Sequence, residues 1–343
     1  MLVISFNSYK GGACRTTTCY NTLPYLAKKL GATSHQPVLV FDVDLDSMGM
    51  TSLMGGFGSA KEGEELPYSS KHMFVDDKYD INRKISRGFD KYEDVEKYYS
   101  RFTKVGGNFG LEDDGCVLFC GVDMQANTIS DDALEKQSKN PPLRVLISAL
   151  KMIDDEDQPK AIVFDCASGV QQTTLSVLAS IDKAVMCMRP TDQFRIGTRD
   201  YLLKKIPDRI NRFNAGKKRQ IVLLPTSVSP IVVSETEPNY QSTIDSLNTL
   251  KKGAFDKINN QIIFPIQSKL AGKINLGYEL NLDMINQSEG IEGIPEIERF
   301  KWQESKLLYT LGKELAEQGK ELTEQEKLLQ SRYEMLASVL VEK

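Results

Sequence analysis

Near the start of the 343-residue chain an apolar run, Val3-Ile4-Ser5-Phe6, breaks into Asn7-Ser8-Tyr9-Lys10-Gly11-Gly12-Ala13-Cys14-Arg15-Thr16-Thr17-Thr18. That order is the layout of a phosphate-binding loop. A strand ends, successive backbone N–H groups curl around phosphate oxygens, and the next helix adds the partial positive charge of its N-terminus. The common form is G-x-x-x-x-G-K-[ST]. Here Tyr9 stands at the first glycine, Cys14 at the last and Arg15 at the lysine. Arginine keeps a permanent charge, but its planar fork is larger than an ammonium and prefers bidentate oxygen contacts. Cys14 brings a Cβ to a position where glycine permits close backbone approach.

Two further segments place carboxylates at the ends of apolar runs. They are Val40-Phe41-Asp42-Val43-Asp44-Leu45-Asp46-Ser47-Met48-Gly49 and Ile162-Val163-Phe164-Asp165-Cys166-Ala167-Ser168-Gly169. In open α/β sheets ligands bind outside the carboxyl ends of the strands. Taken alone, an aspartate at a strand end is more often a helix cap or turn residue.

The elements that must position these residues alternate. Leu2 to Phe6 reads as a buried strand, and Thr16 to Leu30 as a helix closed by Gly31, with Pro24 as a local kink. Further short apolar runs follow at 37–42, 116–121, 160–165, 183–188, 220–224 and 261–265. Strand-length β-branched runs separated by helical stretches predict a parallel sheet between helices, a doubly wound α/β domain.

Composition narrows the class. A hydrophobic share of 41% and a charged share of 26% are ordinary for a chain that buries a sizeable core. The net charge of −4 argues against a wholly basic nucleic-acid binder. Cys14, Cys19, Cys116, Cys120, Cys166 and Cys187 show no zinc spacing, and a reduced, cytoplasmic setting is expected. Met1-Leu2 carries no basic leader, so no signal peptide is expected. No run approaches the roughly eighteen apolar residues of a membrane span.

Lys10-Gly11-Gly12 followed by a cation and Thr16-Thr17 resembles the deviant Walker A motif, KGGxGK[ST], of the ParA/MinD family of P-loop ATPases. The segment around Asp42 and Asp44 resembles that family's first switch, D-x-D-P-Q-G-N, and the segment around Asp165 its Walker B and second switch. Asn21 falls where family members carry an asparagine in the first helix. The order and spacing also match, over roughly 1–55 and 116–275. The resemblance implies a doubly wound P-loop NTPase domain over 1–302, carrying an insertion at about 57–115, and a C-terminal helical extension over 303–343. It implies ATP and Mg²⁺ as cofactors. Phosphates would be held by Lys10, Gly11, Gly12, Ala13, Cys14, Arg15, Thr16 and Thr17. Thr16, Asp42 and Asp165 would hold the metal, and Gly169 would sit near the γ-phosphate. Asp44 would orient the attacking water, Arg15 would clamp the β- and γ-phosphates, and Lys10 would reach across an ATP-dependent homodimer. The implied function is a slow, dimeric ATPase switch that recruits a protein partner or nonspecific DNA in partition, positioning or a mobile-element or defence role. An alternative is a nucleotide-binding scaffold that does not hydrolyse. A dethiobiotin-synthetase-like ligase would lack Lys10. The family's base-reading asparagine has no counterpart in Leu223-Leu224-Pro225-Thr226-Ser227.

Three other regions carry partner expectations. Segment 189–219 holds ten cations against three carboxylates, a surface that could grip DNA phosphates or simply be a solvated helix face, in a bacterial, nucleoid-associated setting. The tyrosine- and charge-rich stretch 57–115 reads as a partner-binding element or a surface excursion. Leucine recurs every seven residues at Leu308, Leu315, Leu322, Leu329 and Leu336, one thin helical seam packed on the domain at one end and meeting a partner or sister subunit at the other. Residues 320–343 carry four basic and five acidic side chains, unlike a membrane-binding tail.

Overall fold

The computed structural model describes residues 1–55, 90, 92, 94, 102–122, 142–213, 219–228, 239–272, 274–285, 292–297 and 307–342. Most of the 57–115 stretch therefore lies outside the described residues, and so do Lys217 and Lys218. Among the described residues eight strands form one sheet, in the order β3-β4-β2-β5-β1-β6-β7-β8. They are β1 Leu2–Ser8, β2 Val38–Val43, β3 Thr103–Lys104, β4 Val117–Cys120, β5 Ala161–Cys166, β6 Lys183–Met188, β7 Gln220–Pro225 and β8 Glu279–Asn281. All neighbours pair in parallel except β3 with β4.

The central strands are buried on both faces, which is why they read as continuous apolar runs. Alternate residues serve opposite layers: Leu39 and Phe41 join one core, Val38 and Val40 the other. The first core is closed by α3 (Pro142–Lys151), α4 (Gln172–Leu178) and the helical run from Tyr201 onward. The second is closed by α1 (Arg15–Leu30), α9 (Leu308–Glu317) and α10 (Glu324–Val341). Helix α1 stops at Gly31, whose φ of 59° lets its N–H return to the last carbonyls. A short α2 (Gly49–Leu53) follows β2.

Between β6 and β7 lie α5 (Asp192–Asp200), a π-turn (Tyr201–Lys205) and α6 (Ile206–Phe213). Beyond β7 come α7 (Tyr240–Ile258), a second π-turn (Asn259–Ile263) and α8 (Phe264–Ala271). The strand expected at 261–265 is therefore helical. Ile262 and Ile263 are buried while Phe264 is 64% exposed, a pattern set by continuation of α7 rather than by the apolar run itself. The two-residue β3 and three-residue β8 gave no apolar signal; they are edge strands with exposed or half-buried positions.

The leucine seam is divided between two helices. Gly319 takes φ 67°, ending α9, and α10 restarts behind a capping box in which Thr323 Oγ1 accepts from the Glu326 N–H and Glu326 returns to the Thr323 N–H. Leu308, Leu329 and Leu336 are buried in the core beside α1. The far end is fastened as well: the Lys183 ammonium donates to the Val339 carbonyl at 2.7 Å and to that of Glu342. The seam's leucines thus serve this chain's own core. Among the described residues no helix is long and apolar enough to cross a membrane.

Because Leu336 is fully buried, Leu336→Ala is expected to cost about 2–5 kcal/mol, and Thr323→Ala about 1 kcal/mol. Urea unfolding measures both. A negligible loss for Leu336→Ala would mean that α10 is not part of the cooperative core.

Candidate functional site

The register of the sheet brings the carboxylates together. Asp42 on β2 is paired with Asp165 on β5, and Asp165 in turn lies beside Phe6 on β1. In-register residues of parallel neighbours point to the same face. The loop leaving β1 therefore runs past both carboxylates before entering α1. Gly169 N–H donates to the Ser8 carbonyl, which binds the segment after β5 to the start of the loop.

Arg15, the first residue of α1, turns into this cluster. Its Nη2 lies 2.7 Å from Asp44 Oδ2 and its Nε 2.8 Å from Asp165 Oδ1, with the guanidinium only 8% exposed. Nη2 also donates to Thr16 Oγ1, and Thr16 donates to Asp165 Oδ2 at 2.7 Å. Asp44 further accepts from the backbone and the hydroxyl of Ser47. Asp42 is fully buried and accepts from the Asp44 N–H and from both the N–H and the hydroxyl of Thr51. Ser47 and Thr51 carry no motif of their own. Only the folded turn shows that they saturate the acids.

Electrostatics follow from this arrangement. Burial opposes the Arg15 charge, but Asp165 and Asp44 outweigh it and raise the guanidinium pKa further. Burial also pushes Asp44 up, yet Ser47 and Arg15 prevail and leave it below the ordinary carboxylate value. Asp165 is raised by burial against the pull of Arg15 and Thr16. Burial first, and then the nearby Asp165, push Asp42 up to about 7 against the hydrogen bonds from Thr51 and Asp44.

The rest of the loop divides into two parts. Lys10, Gly11 and Gly12 are exposed, Gly12 takes φ 80°, and Lys10 has no ion pair among the described residues. Tyr9 packs on α5 at Gly197, where a Cβ would fall 1.9 Å from the tyrosine Cε1. Ala13 is buried, and its carbonyl accepts from Thr226 Oγ1. Cys14 adopts φ 50°, the left-handed conformation expected to trouble a residue with a Cβ, and its Sγ lies 3.0 Å from Ser227 Oγ. That backbone state costs about 1–2 kcal/mol.

Beside Cys14 opens a cavity of about 170 Å³. Cys14, Thr17 and Asn21 line it together with Ser227 and Arg189. Segment 294–297, held to the end of β7 by N–H donation from Ile294 to Pro225 and from Val228 to Ile294, forms another wall. Leu329 and Tyr333 of α10 close it. Asn21 bridges the two regions: its amide donates to the Thr17 carbonyl and its oxygen accepts from the Leu308 N–H at the start of α9. Arg189, read from sequence as one cation of a basic surface, has its Nε buried here with no acceptor among the described residues. Neither Arg189 nor the α10 residues carried a sequence signal for this role, since the fold alone brings them to the loop.

No protein-family model matches the sequence. No curated protein matches it either. Solved structures do. Apo McdA from Cyanothece superposes with a TM-score of 0.53 at 15% identity, covering 98% of this chain and 99% of that one. An Asp-to-Ala variant of Cyanothece McdA in complex with ATP gives 0.52 at 14% identity, covering 98% and 96%. The chain therefore shares its fold with Cyanothece McdA. Its eight-stranded, mostly parallel sheet is the doubly wound architecture expected from the sequence.

Within this P-loop fold the donor set suits a small hard cation. Thr16 Oγ1 and the Asp42 and Asp165 carboxylates are oxygen donors of the kind such an ion takes, and among the described residues no group of three or more His, Cys, Asp and Glu side chains is placed to hold a metal by itself. Mg²⁺ is characteristically bound through one or two carboxylates and completes its shell with phosphate and water. The fit requires Arg15 to leave Thr16 and Asp165, and requires Asp42 to take the ion or its water on oxygens that already accept from Asp44 and Thr51.

Asp42 offers a pH test. Folded, it holds its proton to about 7; unfolded, it releases it near 3.8. It therefore contributes stability that is complete below the lower value and lost as pH rises through the upper one. Melting of the nucleotide-free protein between about pH 5 and about pH 8 is expected to show wild type losing stability relative to Asp42→Asn. A constant difference between the two would eliminate Asp42 as the titrating group.

Proposed function

We propose that this chain is an ATP-binding, slowly ATP-hydrolysing molecular switch that acts as a dimer and recruits a protein partner or DNA. The observation that carries this reading is the meeting of Arg15, Thr16, Asp44 and Asp165 at the entry to α1, beside a cavity of about 170 Å³ lined by Cys14, Thr17 and Asn21 of the same segment. The ATP complex of the McdA variant, whose fold this chain shares, supports a nucleoside triphosphate as ligand.

Phosphates would lie on the N–H groups of residues 11–17 at the positive end of α1. Thr16, Asp42 and Asp165 would hold Mg²⁺, which neutralises charge on the β and γ oxygens when bound. Asp44, released from Arg15, would orient the water. Exposed Lys10 is free to serve a nucleotide on a partner subunit. The Arg15–Asp44 ion pair favours a second reading, a scaffold that binds nucleotide and does not hydrolyse it, because Asp44 is already engaged.

Purified protein with ATP and magnesium is expected to turn over slowly and to run as a dimer on sizing with ATP. Asp44→Ala should lose roughly 10²-fold or more of the hydrolysis rate while keeping nucleotide affinity, and Lys10→Ala should lose the dimer. Binding without turnover in wild type would select the scaffold, and absence of ATP binding would end both readings.

For DNA, the basic segment is smaller than its sequence suggests. Arg195 is buried and paired with Asp192, and Arg219 is buried. Arg199 pairs with Asp200, and Lys204 and Lys205 are exposed. A joint Lys204→Glu and Lys205→Glu change is expected to weaken ATP-dependent DNA retention, and retention should fall steeply with salt. A flat salt titration, or no retention at low salt, would reject DNA as the partner in favour of a protein.

A further inference from the structure

The side chain of Arg15 holds Thr16 and Asp165, two of the three residues whose oxygens a divalent cation would use, together with Asp44. Nη2 lies 3.0 Å from Thr16 Oγ1 and 2.7 Å from Asp44 Oδ2, while Nε lies 2.8 Å from Asp165 Oδ1. The Thr16 hydroxyl accepts from Arg15 and gives its own proton to Asp165 Oδ2, so both its proton and a lone pair are engaged. Asp44 is 5% exposed and Asp165 is fully buried. A guanidinium cannot leave such a site by losing its proton. It leaves only by exchanging one set of anionic oxygens for another.

We propose that Arg15 is an internal counter-ion that bars divalent cations from the site until phosphate oxygens draw it away. This rests on the nucleotide-binding reading above. Without nucleotide, the guanidinium neutralises Asp44 and Asp165 together and keeps Asp44 from water. With nucleotide, the same fork turns to the phosphates and frees Thr16, Asp44 and Asp165 in one movement. An arginine suits this better than a lysine: its planar donors span two carboxylates and a hydroxyl at once, and the same donors match phosphate. As the first residue of α1, Arg15 also stands among the loop N–H groups that would receive the phosphates. Arg15 is thus a positioning residue for Asp44, and the order of ligand entry is nucleotide first, cation with or after it.

The test uses Mn²⁺ as the probe, read by its free-ion electron paramagnetic resonance signal, with the full chain and no nucleotide. Wild type is expected to leave Mn²⁺ free, and Mg²⁺ should not raise its melting temperature. Arg15→Ala should bind Mn²⁺ roughly tenfold or more tightly than wild type and should gain melting temperature from Mg²⁺. If Arg15→Ala is unfolded by circular dichroism, Arg15→Gln, which keeps most of the volume without the charge, supplies the same comparison. Mn²⁺ uptake by nucleotide-free wild type equal to that of the variants, or no uptake by a folded variant, would overturn the proposal. Adding ATP or ADP to wild type should bring Mn²⁺ uptake beyond that of the same nucleotide without protein, which chelates the ion itself. If wild type takes up no nucleotide, the functional reading fails, and the nucleotide-free comparison still decides whether Arg15 excludes the cation.

Discussion

A buried guanidinium shared by two carboxylates is the interaction on which the rest of this site depends. Charges removed from water are tolerated only when paired and hydrogen-bonded. Arg15, Asp44, Asp165 and the Thr16 hydroxyl meet that requirement among themselves. The arrangement needs three things at once: β1, β2 and β5 adjacent and in parallel, the loop turning at the end of β1, and α1 beginning at Arg15. Losing one partner would leave an unpaired charge in the interior, so the sheet order and the ion-pair network support each other.

The second organising feature is how the distant parts of the chain converge on α1. Asn21 ties the start of α9 to the helix, α10 lies along it, and Lys183 holds the last carbonyls of α10 at the far side of the sheet. Segment 294–297 joins the end of β7 and completes the cavity against Leu329 and Tyr333. Helix α10 is therefore a wall of the candidate ligand site as well as a cover for the core. A ligand in the cavity would touch the loop, the end of the sheet and α10 together. Occupancy of the cavity would thereby have a physical route to α10.

Much of this was legible in local sequence. Central strands buried on both faces must be nearly all apolar, so Leu2–Ser8, Val38–Val43 and Ala161–Cys166 announce themselves. Gly31 and Thr323 mark helix ends through backbone geometry and capping chemistry that need only a few neighbours. Where the same apolar character served another element, the local signal misled. Gln261 to Ile263 are β-branched in part and partly buried, yet they continue a helix because they cover the first core from the side of α7. The heptad of leucines likewise carried period but not partner, and the partner proved to be α1.

By itself, the sequence determined the doubly wound architecture, the phosphate-loop layout at residues 9–17 and the strand-end aspartates Asp42, Asp44 and Asp165, because each follows from the period, composition and turn chemistry of a short segment. Only the tertiary structure decided where Arg15 points, that Asp42 is spent on Thr51, and that Arg189, Ser227 and Tyr333 share one cavity. Those outcomes depend on strand order and on helices returning from the far end of the chain. A side chain's charge can be read from its letter, but its partner is set by which charges burial leaves beside it.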